Sequence, residues 1–235
     1  MEPLLFILIP IGIVLVAGLA YMAWLAEKKR REALMALAAQ LGWRFDPRRD
    51  RDHDDEYAHF EIFRRGHSRA AYNTLTGEVE IGGRRFPAKM GDFLYKITTS
   101  TGKSTTTRTY RFSYLILHLP YGGVPDLLIR REGVLDKIAG AFGFDDIDFE
   151  SAEFSRRFCV KSPDKRFAYD VVHPRMIEFL LAGSPPAIDI EYGRCCFSDG
   201  RRRWEPRQFQ AHLAWIGQFF DHWPDHVKAS LESGS

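Results

Sequence analysis

Cysteine is scarce in this chain: only Cys159 and the adjacent Cys195 and Cys196 occur, and no two are spaced Cys-x-x-Cys. That odd set excludes a disulfide framework and a thiolate zinc site, leaving buried or idle thiols in a reducing compartment. A large excess of one charge is also lacking, with 33 Lys and Arg against 31 Asp and Glu, so bulk charge does not point to nucleic acid. The familiar catalytic spellings are missing too: no Gly-x-Ser-x-Gly elbow and no His-Glu-x-x-His pair occurs. Gly102-Lys103-Ser104 has the closing letters of a phosphate loop, but Ile97 stands where the first glycine is needed. Residues 105–117, directly after it, are rich in β-branched and aromatic side chains, which favour a strand over the helix such a loop requires. The stretch reads instead as a hairpin tip over 100–106, with Lys103 solvated.

Long apolar runs, by contrast, are present. Residues 3–26 carry no charge. As a helix at about 1.5 Å per residue they reach roughly 36 Å, against a hydrocarbon core of about 30 Å. Gly18-Leu19-Ala20 offers a signal-peptidase spacing, yet no basic segment precedes the run and the positive charge comes after it, which favours a retained anchor. Lys28, Lys29, Arg30 and Arg31 come directly after the span. By the positive-inside bias the N-terminus is then expected outside and the rest in the cytoplasm, at the inner membrane. The same four residues can attract anionic lipid.

Beyond the span, 27–42 reads as a juxtamembrane helix with Leu34, Leu37, Ala38 and Leu41 on one side and Gly42 ending it. The acidic run around His53 (Asp52, Asp54, Asp55, Glu56) lacks the spacing and glycine of a calcium loop and reads as solvated. From 59 to 131 glycine-punctuated runs read as strands of a meander with one covered face, starting with 59–63. In 132–142 a short helix is expected, 154–160 is strand-like, 174–181 is a helix with Pro at its first turn, and 188–197 holds two strands about Gly193. A longer amphipathic helix is expected over 206–223. The fold class is therefore α+β: a transmembrane helix, a largely antiparallel meander, later helices and a C-terminal amphipathic helix. The soluble domain is set at 43–228, with a sub-boundary placed near 145 and 229–235 as a disordered tail.

Among candidate sites, His222 and His226 are four apart but split by Pro224, while His118 and His173 are single residues near apolar runs. Asp145, Asp146, Asp148 and Glu150 form the densest later acidic group, best read as turn and cap residues. The triplet Arg201, Arg202, Arg203 beside Trp204 suits a solvated loop or a phosphate contact. No residue is assigned a catalytic, cofactor-binding or metal role.

Taken in order, Leu41-Gly42-Trp43, Asn73-Thr74-Leu75-Thr76-Gly77, Asp92-Phe93-Leu94-Tyr95, Leu119-Pro120, the run from Gly143 to Ser151, Glu153 to Val160 and His173 to Leu181 resemble a family of bacterial single-span membrane proteins of unknown function. The resemblance implies location and fold but no activity and no site residues. Two functions remain open: a membrane-tethered binding or scaffold module with no catalytic set, or a membrane-anchored hydrolase using Asp146, Asp148 and Glu150.

Overall fold

In the computed structural model residues 2–132 and 145–233 are described. One helix, α1 (Glu2–Leu41), runs without a break from the apolar stretch into the domain, passing Pro10 on the way. It contains one segment long and apolar enough to cross a membrane, and the side chains there are exposed. Past Trp24 the sequence turns to good helix formers, Glu, Lys, Arg, Ala and Leu. Gly42, at φ 69°, closes the helix. There the Trp43 amide donates to the Ala38 carbonyl (2.8 Å) and the Gly42 amide to the Ala39 carbonyl (3.2 Å), the paired bonds of a glycine-terminated helix.

The chain then forms β1 (Arg44–Asp46), short helices α2 (His53–Glu56) and α3 (Glu61–Arg64), and three long strands, β2 (His67–Ile81), β3 (Arg84–Ser100) and β4 (Thr105–His118). After them come β5 (Leu127–Arg131), α4 (Ala152–Arg157), β6 (Phe158–Lys161), α5 (Lys165–Val171) and α6 (Pro174–Ala182). The chain closes with β7 (Ile188–Glu191), β8 (Arg194–Phe197), α7 (Pro206–Asp221) and α8 (Asp225–Ser233). All strands join one eight-stranded antiparallel sheet, ordered β1-β2-β3-β4-β8-β7-β5-β6. The α+β class is as the sequence indicates, and strands from both sides of position 145 share that sheet. Gly82 and Gly83, both at positive φ, make the two-residue turn between β2 and β3 that matches strand twist.

Several expectations are corrected. Both faces of the sheet are covered, because Leu115 and Leu117 of β4 enter a large core with α1 and the later helices while Phe112, Tyr114 and Ile116 enter a separate aromatic cluster with α3. Residues 61–63, expected in a strand, lie in α3. The strand expected over 154–160 is a helix up to Arg157, its start capped by Ser151 Oγ accepting from the Phe154 amide at 3.3 Å, and only then a strand. Residues 229–233 belong to α8, with Leu231 buried, rather than to a disordered tail. The helix expected over 132–142 falls outside the described residues, apart from Glu132.

The end of α1 is pinned by Trp43, whose indole Nε1 donates to the Glu78 carbonyl at 3.1 Å while the ring covers Gly77. A Cβ built at Gly77 would lie only 2.3 Å from the ring's Cγ and Cδ1. Gly77→Ala is therefore expected to displace Trp43 and lower stability by about 1–3 kcal/mol, the usual cost of overpacking. Chemical denaturation reads the loss, and quenched or red-shifted tryptophan emission in the folded state reports the displaced ring.

Candidate functional site at the helix to sheet junction

The basic residues after the apolar stretch do not all face outward. Arg30 recurs with Leu34, Leu37 and Leu41 at helical spacing, so it lies on the stripe that α1 buries. Its guanidinium grips Asp92 of β3 at both oxygens, Nε to Oδ2 at 2.7 Å and Nη2 to Oδ1 at 2.6 Å. Nη1 donates to the Trp204 carbonyl at 2.8 Å. Asp92 is fully buried, and its carboxylate also accepts from Ser113 Oγ (2.7 Å) and Asn73 Nδ2 (3.3 Å). Ser113 Oγ in turn accepts from the Trp204 amide at 2.9 Å. A buried carboxylate is tolerable only with such complete satisfaction, and the planar two-pronged cation supplies it. Nearby, Glu27 accepts from Arg203 at 2.6 Å, a second tie between α1 and the segment before α7. Arg30 is therefore spent inward, which leaves Lys28, Lys29 and Arg31 for any lipid contact. The arginine triplet is likewise no free loop, since Arg203 holds Glu27 and Trp204 is buried in the core.

On the opposite face, the acidic run read as a solvated loop folds into α2 and buries His53 completely. Its ring lies 4.6–5.6 Å, centroid to centroid, from Tyr57, Phe63, Phe93 and Tyr114, and neither ring nitrogen has a hydrogen-bond partner among the described residues. Burial, helped by the Lys89 charge, holds its pKa well below 6.5, so the ring stays neutral. Asp54 pairs with Arg69 at 2.6 Å. Asp50, His53 and Glu56 could offer three ligand atoms to one ion. However, the Lys89 ammonium already sits 3.4 Å from Asp50 and 2.9 Å from Glu56, so a metal there would have to displace it. Lys89 and Arg194 both stack over the Tyr57 ring, whose hydroxyl lies 3.3 Å from His118 Nε2.

Two carboxyl groups that sequence reasoning did not single out lie on β7. Asp189 and Glu191 alternate with Ile188 and Ile190, a pattern that reads as a wet face, yet Asp189 pairs across the strands with Cys196 of the cluster on the α3 side and both carboxyl side chains are half-buried. Burial pushes both upward, Glu191 to about 7 with help from Asp126, and Asp189 well above its usual range with help from Glu191. Such a pair shares a proton near neutrality and could serve acid/base chemistry. The cavities of about 520 Å³ (beside Asp164, Asp170 and His226) and about 470 Å³ (beside Arg44, Arg51 and Lys89) are lined by other residues.

The remaining sequence candidates are dispersed. Asp146 Oδ1 accepts from the Val160 amide at 2.8 Å, near Glu132 and Cys159, while the Asp148 carbonyl accepts from the Tyr169 hydroxyl at 3.1 Å. Neither gathers a histidine among the described residues. His222 Nδ1 turns to the Gln218 carbonyl and His226 to Asp170, so they share no ion. All three cysteines are buried, and burial raises their pKa, for Cys159 to about 11, which keeps them as protonated, unreactive thiols. At Gly102 the chain makes a hairpin tip, with the Thr101 amide donating to the Ser104 carbonyl at 3.0 Å between two strands. No helix comes after it, so no phosphate cradle is built.

No protein-family model matches the chain, and no curated protein does. The likeness to bacterial proteins of unknown function therefore remains a resemblance. Among solved structures the chain is similar to the mycobacterial trehalose monomycolate transport factor A, TtfA, at a TM-score of 0.52 and 13% identity, over 83% of this chain and 95% of that one. At that identity the likeness concerns the fold.

Proposed function

We propose that the chain is a single-pass inner-membrane protein, N-terminus outside, whose cytoplasmic α+β domain is a binding or scaffold module held in a fixed position against the bilayer. The observation that carries this reading is the continuity of α1, which passes from the apolar stretch into the core and is locked there by Arg30 and Asp92. A domain meant to diffuse on a tether needs only a flexible linker. A helix that is at once anchor and core element suits a module that must meet a partner at a set height and orientation. Similarity of fold to a protein whose name marks it as a transport factor favours a partner in or at the membrane over a soluble substrate. The Asp146 carboxylate is taken up by the Val160 amide, and no histidine among the described residues joins it or Asp148, which argues against a hydrolase built on that segment.

A reporter fused after Ser235 is expected to be active in the cytoplasm; activity of a periplasmic reporter at the same position would overturn the orientation. Photocrosslinkers placed on the domain surface of the full chain in native membranes are expected to capture a membrane protein. Loss of that product in the Arg30→Ala variant, with the variant still in the membrane, would tie capture to the fixed geometry. Turnover of a small molecule by the purified chain would contradict the scaffold reading.

A further inference from the structure

We infer that the β3–β4 hairpin is a second membrane contact, lying on anionic lipid headgroups beside the point where α1 leaves the bilayer. The inference rests on the reading of α1 as a span. Direction comes from contacts already described. Arg30 sits on Asp92, and Trp43, at the other end of the packed part of α1, sits on Gly77 and Glu78, which pair with Ala88 and Pro87 of β3. Passing down α1 thus means passing down β3, so the two run antiparallel and the Ser100 end of β3 points the same way as the apolar half of α1. From Asp92 to Ser100 the strand extends about 26 Å at about 3.3 Å per residue. From Arg30 back to Ala26 the helix covers only about 6 Å at about 1.5 Å per residue. Along a common axis the hairpin would run about 20 Å past the start of the apolar run, so it comes to rest on the headgroup layer with the span tilted away from it.

Its composition fits that place. β2 pairs with β3 only as far as the register His67 to Lys96, and beyond it β3 and β4 form a two-stranded ribbon exposed on both faces. Such a ribbon is marginal in water by itself. No acidic residue occurs between Asp92 and Asp126, and the ribbon and its base carry Lys96, Lys103, Arg108 and Arg111, none with an ion pair among the described residues. Ile97 and Tyr110, 40% and 39% exposed, supply an interfacial apolar pair. Between them lies a run of hydroxyls, with Thr98 and Thr107 bonded across the strands at 2.9 Å, suited to hydrogen-bonding headgroups rather than hydrocarbon. With Lys28, Lys29 and Arg31 these residues make one positive surface around the exit of the helix, the sign that attracts an anionic leaflet.

The test uses the full chain in nanodiscs, with fluorophores on single introduced cysteines; the native thiols are buried. Probes at Thr101→Cys, Leu15→Cys and the exposed Tyr192→Cys are read against lipids bearing a nitroxide at the headgroup or deep in the acyl chain. With phosphatidylglycerol present, the Thr101 probe is expected to be quenched by the headgroup nitroxide at least about threefold more than the Tyr192 probe. That excess should fall to the Tyr192 level when Lys96, Lys103, Arg108 and Arg111 are all replaced by Gln. A Leu15 probe untouched by the deep nitroxide would refute the span itself. A quenched Leu15 probe with Thr101 at the Tyr192 level refutes the hairpin contact alone. A Thr101 probe shielded from water equally with and without anionic lipid, and unquenched, assigns the ribbon to a protein contact and overturns the inference.

Discussion

Asp92→Ala lowers the stability of the folded domain by about 3–5 kcal/mol, the expected cost of leaving a buried guanidinium without its carboxylate. For a domain of this size each kcal/mol moves the melting temperature by about 2–4 °C, so a fall of roughly 6–20 °C is expected in detergent or nanodiscs. The double replacement Arg30→Met with Asp92→Leu should recover most of that loss, because two buried charges vanish together and an apolar pair fills similar space. Arg30→Lys, with Asp92 in place, should itself lower stability. A single ammonium cannot reach both Asp92 oxygens and the Trp204 carbonyl at once, which the guanidinium does at 2.6–2.8 Å. A loss under about 1 kcal/mol for Asp92→Ala would place this pair with ordinary surface ion pairs.

The second large effect is a change in pH dependence on replacing His53. In the fold its ring stays neutral because burial and the Lys89 charge hold the pKa well below 6.5. Unfolded, it titrates near about 6.5. Below that pH the unfolded chain binds a proton that the folded chain refuses, so His53 costs stability as pH falls, by up to about 1.4 kcal/mol per pH unit. His59 and His212, pushed to about 4 by burial, and His118, lowered by burial, act in the same sense more weakly. Asp189 and Glu191 act in the opposite sense. Their folded pKa is raised, so they favour the fold at low pH, and that contribution is lost as pH rises through the usual carboxylate range towards about 7. The wild-type curve is thus a sum of opposed slopes, and the difference between wild type and His53→Phe isolates one of them. Between pH 6 and pH 5 the variant should gain about 1 kcal/mol on the wild type, by urea denaturation at each pH. Parallel curves would mean that His53 takes up its proton inside the fold.

The long apolar helix, its continuation to Gly42, the hairpin tip at Gly102 and the helices at Pro174 and Pro206 were legible because each has a local signal: an unbroken apolar run, a terminal glycine, or proline at a first turn. The stretch 59–63 misleads because so short an apolar run fits a strand and one turn of α3 equally well. Ser151, whose side chain caps α4, is a local sign that 152–157 is helical, and the apolar residues Phe154, Phe158 and Val160 fit a strand equally well. The ion pair is a different case. Lys28, Lys29, Arg30 and Arg31 look alike as charges, and Asp92 is far away in sequence. Only the phase of Arg30 with Leu34 and Leu37 separates it from its neighbours. For Asp189 and Glu191 no local sign exists, since strand alternation cannot say what covers the polar face.

The unbroken α1 also sets an angle. A helix turns about 100° per residue, so the number of residues between the apolar stretch and Arg30 determines which way the sheet faces around the axis of α1. Two chains with the same apolar helix and the same domain, differing by one residue in that interval, would present different sides of the sheet to a neighbour packed against the apolar half of α1.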